Sequence, residues 1–396
     1  MRRYSVLVAL ILAIAILVWQ VSGIVRQGIM RPDDFAEYWA ASRLLMSGGN
    51  PYDAAQLLRL QQGIGWSEPQ PVMMWNPPWT LMIVMPFGLL GYPVGRLLWL
   101  AAMGGVLTAC IVWLWTFYGG SPRQRWLALL LGFTFAPVLT GLHPGQISPL
   151  VLAGVVLFLY FGVRGHWLAA GCAIGALFVK PHVLYLFWLA LGLWVWRARR
   201  WSVLLGAASA LGVALGVALL LNPAVITQYL QAVATGRLVA WAPHTLGGLL
   251  RLLYGEATPG PFWLQFLPVL AGLAWFASRW RRRGAQWDWG IEVPFLLLVS
   301  VATSPYAWFY DQVVVLPALL QSAIWVLRLR PRLAITVGVC YLAFNLLFLF
   351  PLFVTMNKAW YVCYMLSGPL AVFGYAVLRS RLAASNSVMR PDCPKS

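Results

Sequence analysis

Two adjacent carboxylates, Asp33 and Asp34, stand just past the first apolar run of the chain, in Arg31-Pro-Asp-Asp-Phe-Ala-Glu-Tyr-Trp39. Only ten residues of the 396 are acidic, so two together at the exit of a hydrophobic segment ask for a reason. A carboxylate in that position can take the proton from an attacking hydroxyl, the work of a general base. If the group displaced in the same reaction is a phosphate, its growing charge needs cations or hydrogen-bond donors nearby. Lys180 in Lys180-Pro-His182, Arg237, His244 and Arg251 are the candidates for that task. Gln146 in His143-Pro-Gly-Gln146 and Asp311 at the end of Ser304-Pro-Tyr-Ala-Trp-Phe-Tyr-Asp311 are further polar candidates.

Each of these residues also has a purely structural reading. Asp33 or Asp34 can cap a helix that begins near Phe35, aspartate being a favoured N-cap residue. Glu37 reads as the solvated face of that helix. Lys180, at a helix end before proline, is either a snorkelling interfacial lysine or a phosphate ligand. His244 can be an ordinary loop histidine, and Gln146 can satisfy a helix end. Asp311 opens an apolar segment, where a carboxylate suits a helix N-terminus. His166 reads as structural, and Cys110, Cys172, Cys340 and Cys363 as packing inside helices, with no metal or redox spacing.

What must position these groups is a set of membrane helices. The chain is 61% hydrophobic and 10% charged, where a soluble domain carries about 25% charged residues. The apolar runs are long and lack strand alternation, which points to helices and away from a barrel. Twelve spans are expected near residues 4–25, 95–118, 125–142, 146–163, 166–180, 182–197, 201–221, 261–279, 288–304, 310–328, 333–354 and 358–379. The first reads as an uncleaved helix of span length rather than a signal peptide. Residues 1–379 read as one transmembrane domain and 380–396 as a disordered tail.

Net charge of +18 suggests nucleic acid at first sight, but the arginines fall in short clusters between apolar runs, as positive-inside loops do. Arg2/Arg3, Arg123/Arg125, Arg164, Arg197–Arg200, Arg279–Arg283, Arg328–Arg332, Arg379/Arg381, Arg390 and Lys395 share one side, 19 of the 28 basic residues. That side is expected to be cytoplasmic, with both termini on it. Residues 27–77 and 222–260 are then external, with helical stretches near 34–47 and 53–63 separated by the stop Gly48-Gly-Asn-Pro-Tyr52. The apolar segment 78–90 is short and bounded by proline; parity of the charge clusters argues that it is re-entrant or interfacial, the alternative being a short span paired with another inside 91–118, for fourteen in all. Seven of the ten acids, Asp33, Asp34, Glu37, Asp53, Glu68, Glu256 and Asp311, fall on the outer side with the candidate cations.

The ordered motifs resemble one known family. Asp34-Phe-Ala-Glu-Tyr-Trp-Ala-Ala-Ser-Arg-Leu-Leu-Met-Ser-Gly-Gly-Asn-Pro-Tyr52, Asn76-Pro-Pro78, Gly145-Gln-Ile-Ser148, Gly171 through Lys180-Pro181, His244-Thr-Leu-Gly-Gly-Leu-Leu-Arg251 and Ser304-Pro-Tyr-Ala-Trp308 are similar, in order, to glycosyltransferase family 87. The resemblance implies an all-helical, polytopic GT-C fold and a polyprenyl-phosphate sugar as donor, typically mannose. It implies that the aspartate of the Asp-Phe-x-x-Tyr motif, Asp34, is the catalytic base; Asp33, the better placed of the pair to cap the following helix, and Tyr38 are read as supporting residues. It also implies a histidine of a later outer loop beside the donor phosphate, here His244.

The expected protein is therefore an inner-membrane glycosyltransferase that moves a hexose, mannose, from a polyprenyl phosphate to a lipid or glycan hydroxyl, with inversion. No cofactor is expected, and metal independence is favoured because Asp33 and Asp34 are adjacent and do not form an Asp-x-Asp pair. Two other readings stay open: a transporter or flippase of lipid-linked saccharides, and a GT-C enzyme that uses a pentose (arabinofuranose) donor. A transporter would place polar groups at mid-membrane and show related halves; here the polar groups collect toward one face.

Overall fold

The computed structural model describes residues 30–236, 242–255, 260–329, 331–349 and 358–383, with residues 15, 18, 22 and 28. Most of the expected first span, residues 384–396 of the expected tail, Arg237 and Glu256 lie outside the described residues, while residues 380–383, expected to belong to the disordered tail, continue the last helix. The described residues form helices and connecting turns with no strand. The α-helices are α1 Phe35–Met46, α2 Ala54–Gln62, α3 Thr80–Gly88, α4 Tyr92–Phe117, α5 Arg125–Thr134, α6 Ala136–Leu142, α7 Ser148–Gly162, α8 Trp167–Ile174, α9 Tyr185–Ala198, α10 Trp201–Leu221, α11 Val225–Thr235, α12 Leu246–Tyr254, α13 Leu267–Arg283, α14 Trp289–Thr303, α15 Leu316–Leu329, α16 Pro331–Leu349 and α17 Lys358–Ala383.

Four helical stretches are long and apolar enough to cross a membrane: Tyr92–Phe117, Trp201–Leu221, Phe309–Arg328 and Tyr361–Arg381. Two further pairs qualify jointly but are bent, Pro122–Thr134 with Ala136–Leu142 by 64° and Trp167–Val179 with Pro181–Ala198 by 119°. The chain is an integral membrane protein with four such spans, or up to six if each bent pair is one span, among the described residues. The exact count of twelve does not emerge from helix length. Residues 166–180 and 182–197, expected as two regular spans, each contain a 3₁₀ stretch at their shared break, Gly175–Val179 and Pro181–Leu184. The cause is local. Pro181 has no N–H to continue a helix and disfavours the helical region for the residue before it. Lys180 accordingly sits at φ −138°, ψ 67°, outside both stretches.

The segment 78–90 contains only the nine-residue α3, about 14 Å of helix against a hydrocarbon core of about 30 Å. It does not span; it packs on α1 and α10. Both helical stretches of the loop before it are present. α1 ends in a Schellman motif, Gly49 N–H bonding Leu44 O at 2.8 Å and Gly48 N–H bonding Leu45 O at 3.1 Å, with Gly48 at φ +73°. α2 is capped by Asp53, whose carboxylate accepts from Gln56 N–H at 2.8 Å.

The helices run between two chemically distinct ends. α7 starts at Ser148 and is followed by Arg164, α9 follows Lys180 through the Pro181–Leu184 stretch and carries Arg197 in its last turn, and α15 follows Asp311 and carries Arg328 in its last turn. The polar candidates therefore gather at the end opposite these arginines. The α8–α10 crossing anchors the frame behind Lys180. A methyl group on Gly171 would meet Val203 O at 2.1 Å, and one on Gly206 would meet Leu168 O at 2.1 Å, so each helix is admitted only by the other's glycine. Gly206→Ala is expected to cost about 1–3 kcal/mol through overpacking. Gly212→Ala, on the same helix with nothing within 4 Å, is expected to be neutral. Thermal unfolding of both variants in one detergent checks this; equal midpoints would show that the crossing is loose.

Candidate active site

The site begins where α1 starts. Phe35 N–H bonds Pro144 O at 2.9 Å, which ties the head of α1 to the turn 143–146. That turn needs glycine at 145: φ is +84°, and a side chain there would meet Phe35 Cβ at 2.8 Å. Trp99 of α4 closes it from behind by donating its indole N–H to Gly145 O at 2.7 Å. Gln146 is thereby carried to Asp34, and its Nε2 donates to Asp34 Oδ2 at 2.5 Å.

Asp34 occupies the N-cap position of α1, yet its side chain caps no helix N–H. Asp33 takes part of that task, its Oδ1 accepting from Asp34 N–H at 3.0 Å and its backbone O from Ala36 N–H at 2.7 Å. The Asp34 carboxylate is left for the site. Burial and the neighbouring Asp33 charge push it up to about 6, against the opposing pull of Gln146, Lys180 and Arg96. A carboxylate near 6 is ionised at neutral pH and remains basic enough to accept a proton.

Behind Gln146 lies a fully engaged ion pair. Lys180 Nζ donates to Gln146 Oε1 at 3.0 Å, to Ser148 Oγ at 3.1 Å and to Asp311 Oδ1 at 2.8 Å. Ser148 Oγ donates to the same Asp311 oxygen at 2.6 Å, and Asp311 Oδ2 accepts from Trp308 N–H at 2.9 Å. Lys180 also lies over the Tyr310 ring, 4.7 Å from its centroid. Asp311 is the third residue of the turn Phe309–Val315, where its carboxylate accepts from the N–H of the N-cap residue Trp308, so it does serve a helix start as its position in the sequence suggested. Its role as the partner of Lys180 was not visible there.

His244 precedes α12, whose N-cap is Thr245, Oγ1 accepting from Gly248 N–H at 3.2 Å. Its Nδ1 accepts from Phe309 N–H at 3.2 Å. The ring is enclosed by Trp308, Tyr361 and Tyr364, stacked on the last at 5.0 Å. Burial pushes it down to about 3, against the pull of Asp311. The sequence grouped His244 with the cations; the structure makes it a neutral ring. With Nδ1 accepting, the proton sits on Nε2, which is buried and has no hydrogen-bond partner among the described residues.

The structure thus brings Asp34, Gln146, Lys180 and Asp311 into one hydrogen-bonded chain, with Asp33 and Tyr38 at its head and His244 joined through the 308–311 turn. Arg251 is placed elsewhere. It is buried, with Nε on Gly260 O at 3.0 Å and Nη1 on Gln265 Oε1 at 2.9 Å, so it braces the loop between α12 and α13. Arg237 lies outside the described residues. Among these, no three His, Cys, Asp or Glu side chains are grouped to hold a metal ion.

Two residues of the site escape the sequence reading. Glu37 is not on a solvated face; it is 7% exposed. Ten of the twelve residues of α1 are buried, so the helix has almost no solvated face. Burial, with the charge of Asp34 adding, pushes the Glu37 carboxyl well above the usual carboxylate range, while Tyr38 and Lys180 oppose the push. Arg96, buried one turn inside α4, donates to His143 O at 2.8 Å and exerts its charge on Asp34. A lone arginine in an apolar span was the signal that could have found it.

With this geometry in hand, comparison with known proteins places the chain. The model of glycosyltransferase family 87 matches residues 75–305, which include Arg96, Gln146, Lys180 and His244 but neither Asp34 nor Asp311. A curated protein of Mycolicibacterium smegmatis, the polyprenol-phosphate-mannose-dependent alpha-(1-2)-phosphatidylinositol mannoside mannosyltransferase, is 31% identical over 286 residues. The alignment covers 64% of this chain and 62% of that protein, so less than two thirds of the relative's length is represented. No solved structure matches the chain.

Proposed function

The chain belongs to glycosyltransferase family 87, and on that premise we propose that it transfers mannose from a polyprenyl-phosphate donor to a hydroxyl of a lipid or glycan acceptor, with inversion at the sugar carbon. The observation that carries this reading is the Asp34 carboxylate, free of helix-capping duty, held by Gln146 and poised near 6. Asp34 accepts the proton of the attacking hydroxyl as the new glycosidic bond forms. The lipid phosphate leaves with the electron pair of the old bond. The Nε2–H of His244 supplies a neutral donor to that phosphate, Asp33 orients the Asp34 backbone, and Tyr38 lines the same wall.

The mannose donor is supported by the printed name of the relative. The arginine clusters at the opposite helix ends support a cytoplasmic face there and an external face for the site. A lipid-borne sugar suits that side, where nucleotide sugars of the cytosol do not reach. The test is transfer of label by the purified protein from a panel of polyprenyl-phosphate sugars, mannose and arabinofuranose among them. Label moving from the mannose donor alone is expected. Transfer from the pentose donor alone would reassign the sugar, and transfer from none would remove the enzymatic reading.

A further inference from the structure

We propose that Lys180 is a positioning residue, which fixes the side-chain amide of Gln146 so that Gln146 presents its N–H to Asp34. The inference rests on the reading of Asp34 as the base and adds the device that orients it. An ammonium group carries three protons and no acceptor. All three are engaged, on Gln146 Oε1, Ser148 Oγ and Asp311 Oδ1, at 2.8–3.1 Å. A phosphate would have to displace one of them, and the ammonium charge is already matched by Asp311. Lys180 is therefore built into the wall and is not held out as a ligand.

The consequence passes through an amide that has two unlike ends. The end facing a lysine must be the oxygen, and the end facing an ionised carboxylate must be the N–H. Reversing the amide would set N–H against ammonium on one side and oxygen against carboxylate on the other. Lys180 and Asp34 thus select one orientation of Gln146 between them, and Asp311 and Ser148 hold Lys180 in place to do it. Gln146 in turn stabilises the ionised form of Asp34 by a direct hydrogen bond. The groups that bear on Asp34 are Asp33, Glu37 and Tyr38 from its own segment, Arg96 from α4, Lys180, and Tyr310 from the 3₁₀ turn. Gln146 is the one that reaches its side chain by a hydrogen bond among the described residues.

The test uses the full-length protein with polyprenyl-phosphate mannose as donor. It compares Gln146→Leu, Lys180→Met and the double variant by kcat, donor KM and the pH of half-maximal kcat/KM on the acid side. Gln146→Leu is expected to move that acid limb upward by about one pH unit, and to lower kcat at fixed pH by roughly tenfold. Lys180→Met is expected to do the same with donor KM unchanged, and the double variant to be no worse than the worse single, because both act along one path. A rise in donor KM without a shift of the limb in Lys180→Met, or losses that multiply in the double variant, would make Lys180 a ligand and overturn the proposal. Lys180→Met leaves Asp311 buried without its partner and can fail to fold. Gln146→Leu keeps the ion pair, and an unmoved acid limb in that variant alone refutes the proposal. Asp34→Asn separates the two levels: if it is inactive while Gln146→Leu leaves the limb in place, only the positioning role fails; if it is active, the base assignment fails and this role with it.

Discussion

Asp34→Asn is expected to lower turnover by roughly 10²–10⁴-fold, the range for removal of a general base, while donor binding survives. The reason is in the local geometry. The Asp34 side chain caps no N–H of α1, so the substitution leaves the helix start intact. The bond from Phe35 N–H to Pro144 O still ties that start to the 143–146 turn. Asparagine keeps the shape and an oxygen for Gln146, and loses only the basic site. Asp33→Asn provides the comparison. It retains an acceptor for Asp34 N–H and removes a negative charge that helps to raise Asp34. The acid limb is then expected to move down, with turnover at neutral pH within about tenfold of the parent. For the parent, the active form of Asp34 is the ionised one. Activity should thus be full above about 6 and fall as pH drops below it, by roughly tenfold per pH unit. If Asp34→Asn keeps most of its activity while Asp33→Asn is inert, the base is Asp33. If both are active, the carboxylate mechanism has no seat at this end of the molecule.

How much of this was legible in the sequence differs by kind of information. Local signals carried well. Gly48 ended α1, Asp53 opened α2, and proline bounded the short segment that became α3, because each acts through its own backbone or its nearest N–H groups. Proline also announced the break at Lys180, but not that the break would aim the lysine inward. Glu37 was misjudged because a carboxylate among apolar neighbours was taken to mark a wet helix face. In Phe35-Ala-Glu-Tyr-Trp-Ala-Ala the apolar residues run all the way round, and α3, α4 and α10 cover them. The pairings that make the site span long stretches of chain: Gln146 with Asp34 is 112 residues apart, Lys180 with Asp311 131. No periodicity or cap encodes such contacts. Tertiary packing sets them, and with them which lysine is engaged, which histidine is neutral and which arginine is a brace.

His244→Phe is expected to cost about 10²–10³-fold in turnover, the scale for removing one donor aimed at developing negative charge. Phenylalanine suits the enclosure formed by Trp308, Tyr361 and Tyr364, so the apolar contacts of the ring are retained. What is lost is the Nε2–H, buried and without a hydrogen-bond partner among the described residues, and the Nδ1 acceptor for Phe309 N–H. His244→Gln, which can restore both an acceptor and an N–H, is expected to recover part of the loss, and that recovery distinguishes a hydrogen-bond role from simple unfolding of the α12 start. The pH dependence separates the neutral donor from a cationic clamp. A histidine with its ordinary pKa of about 6.5 would release its phosphate as pH rises through that value. His244, pushed down to about 3, is neutral throughout the working range, so donor KM should stay flat from pH 5 to about 8. A donor KM that climbs steeply between pH 6 and about 7.5 in the parent, and ceases to do so in His244→Phe, would show that the ring is charged when it binds. Turnover and KM in His244→Phe equal to those of the parent would remove it from the site altogether.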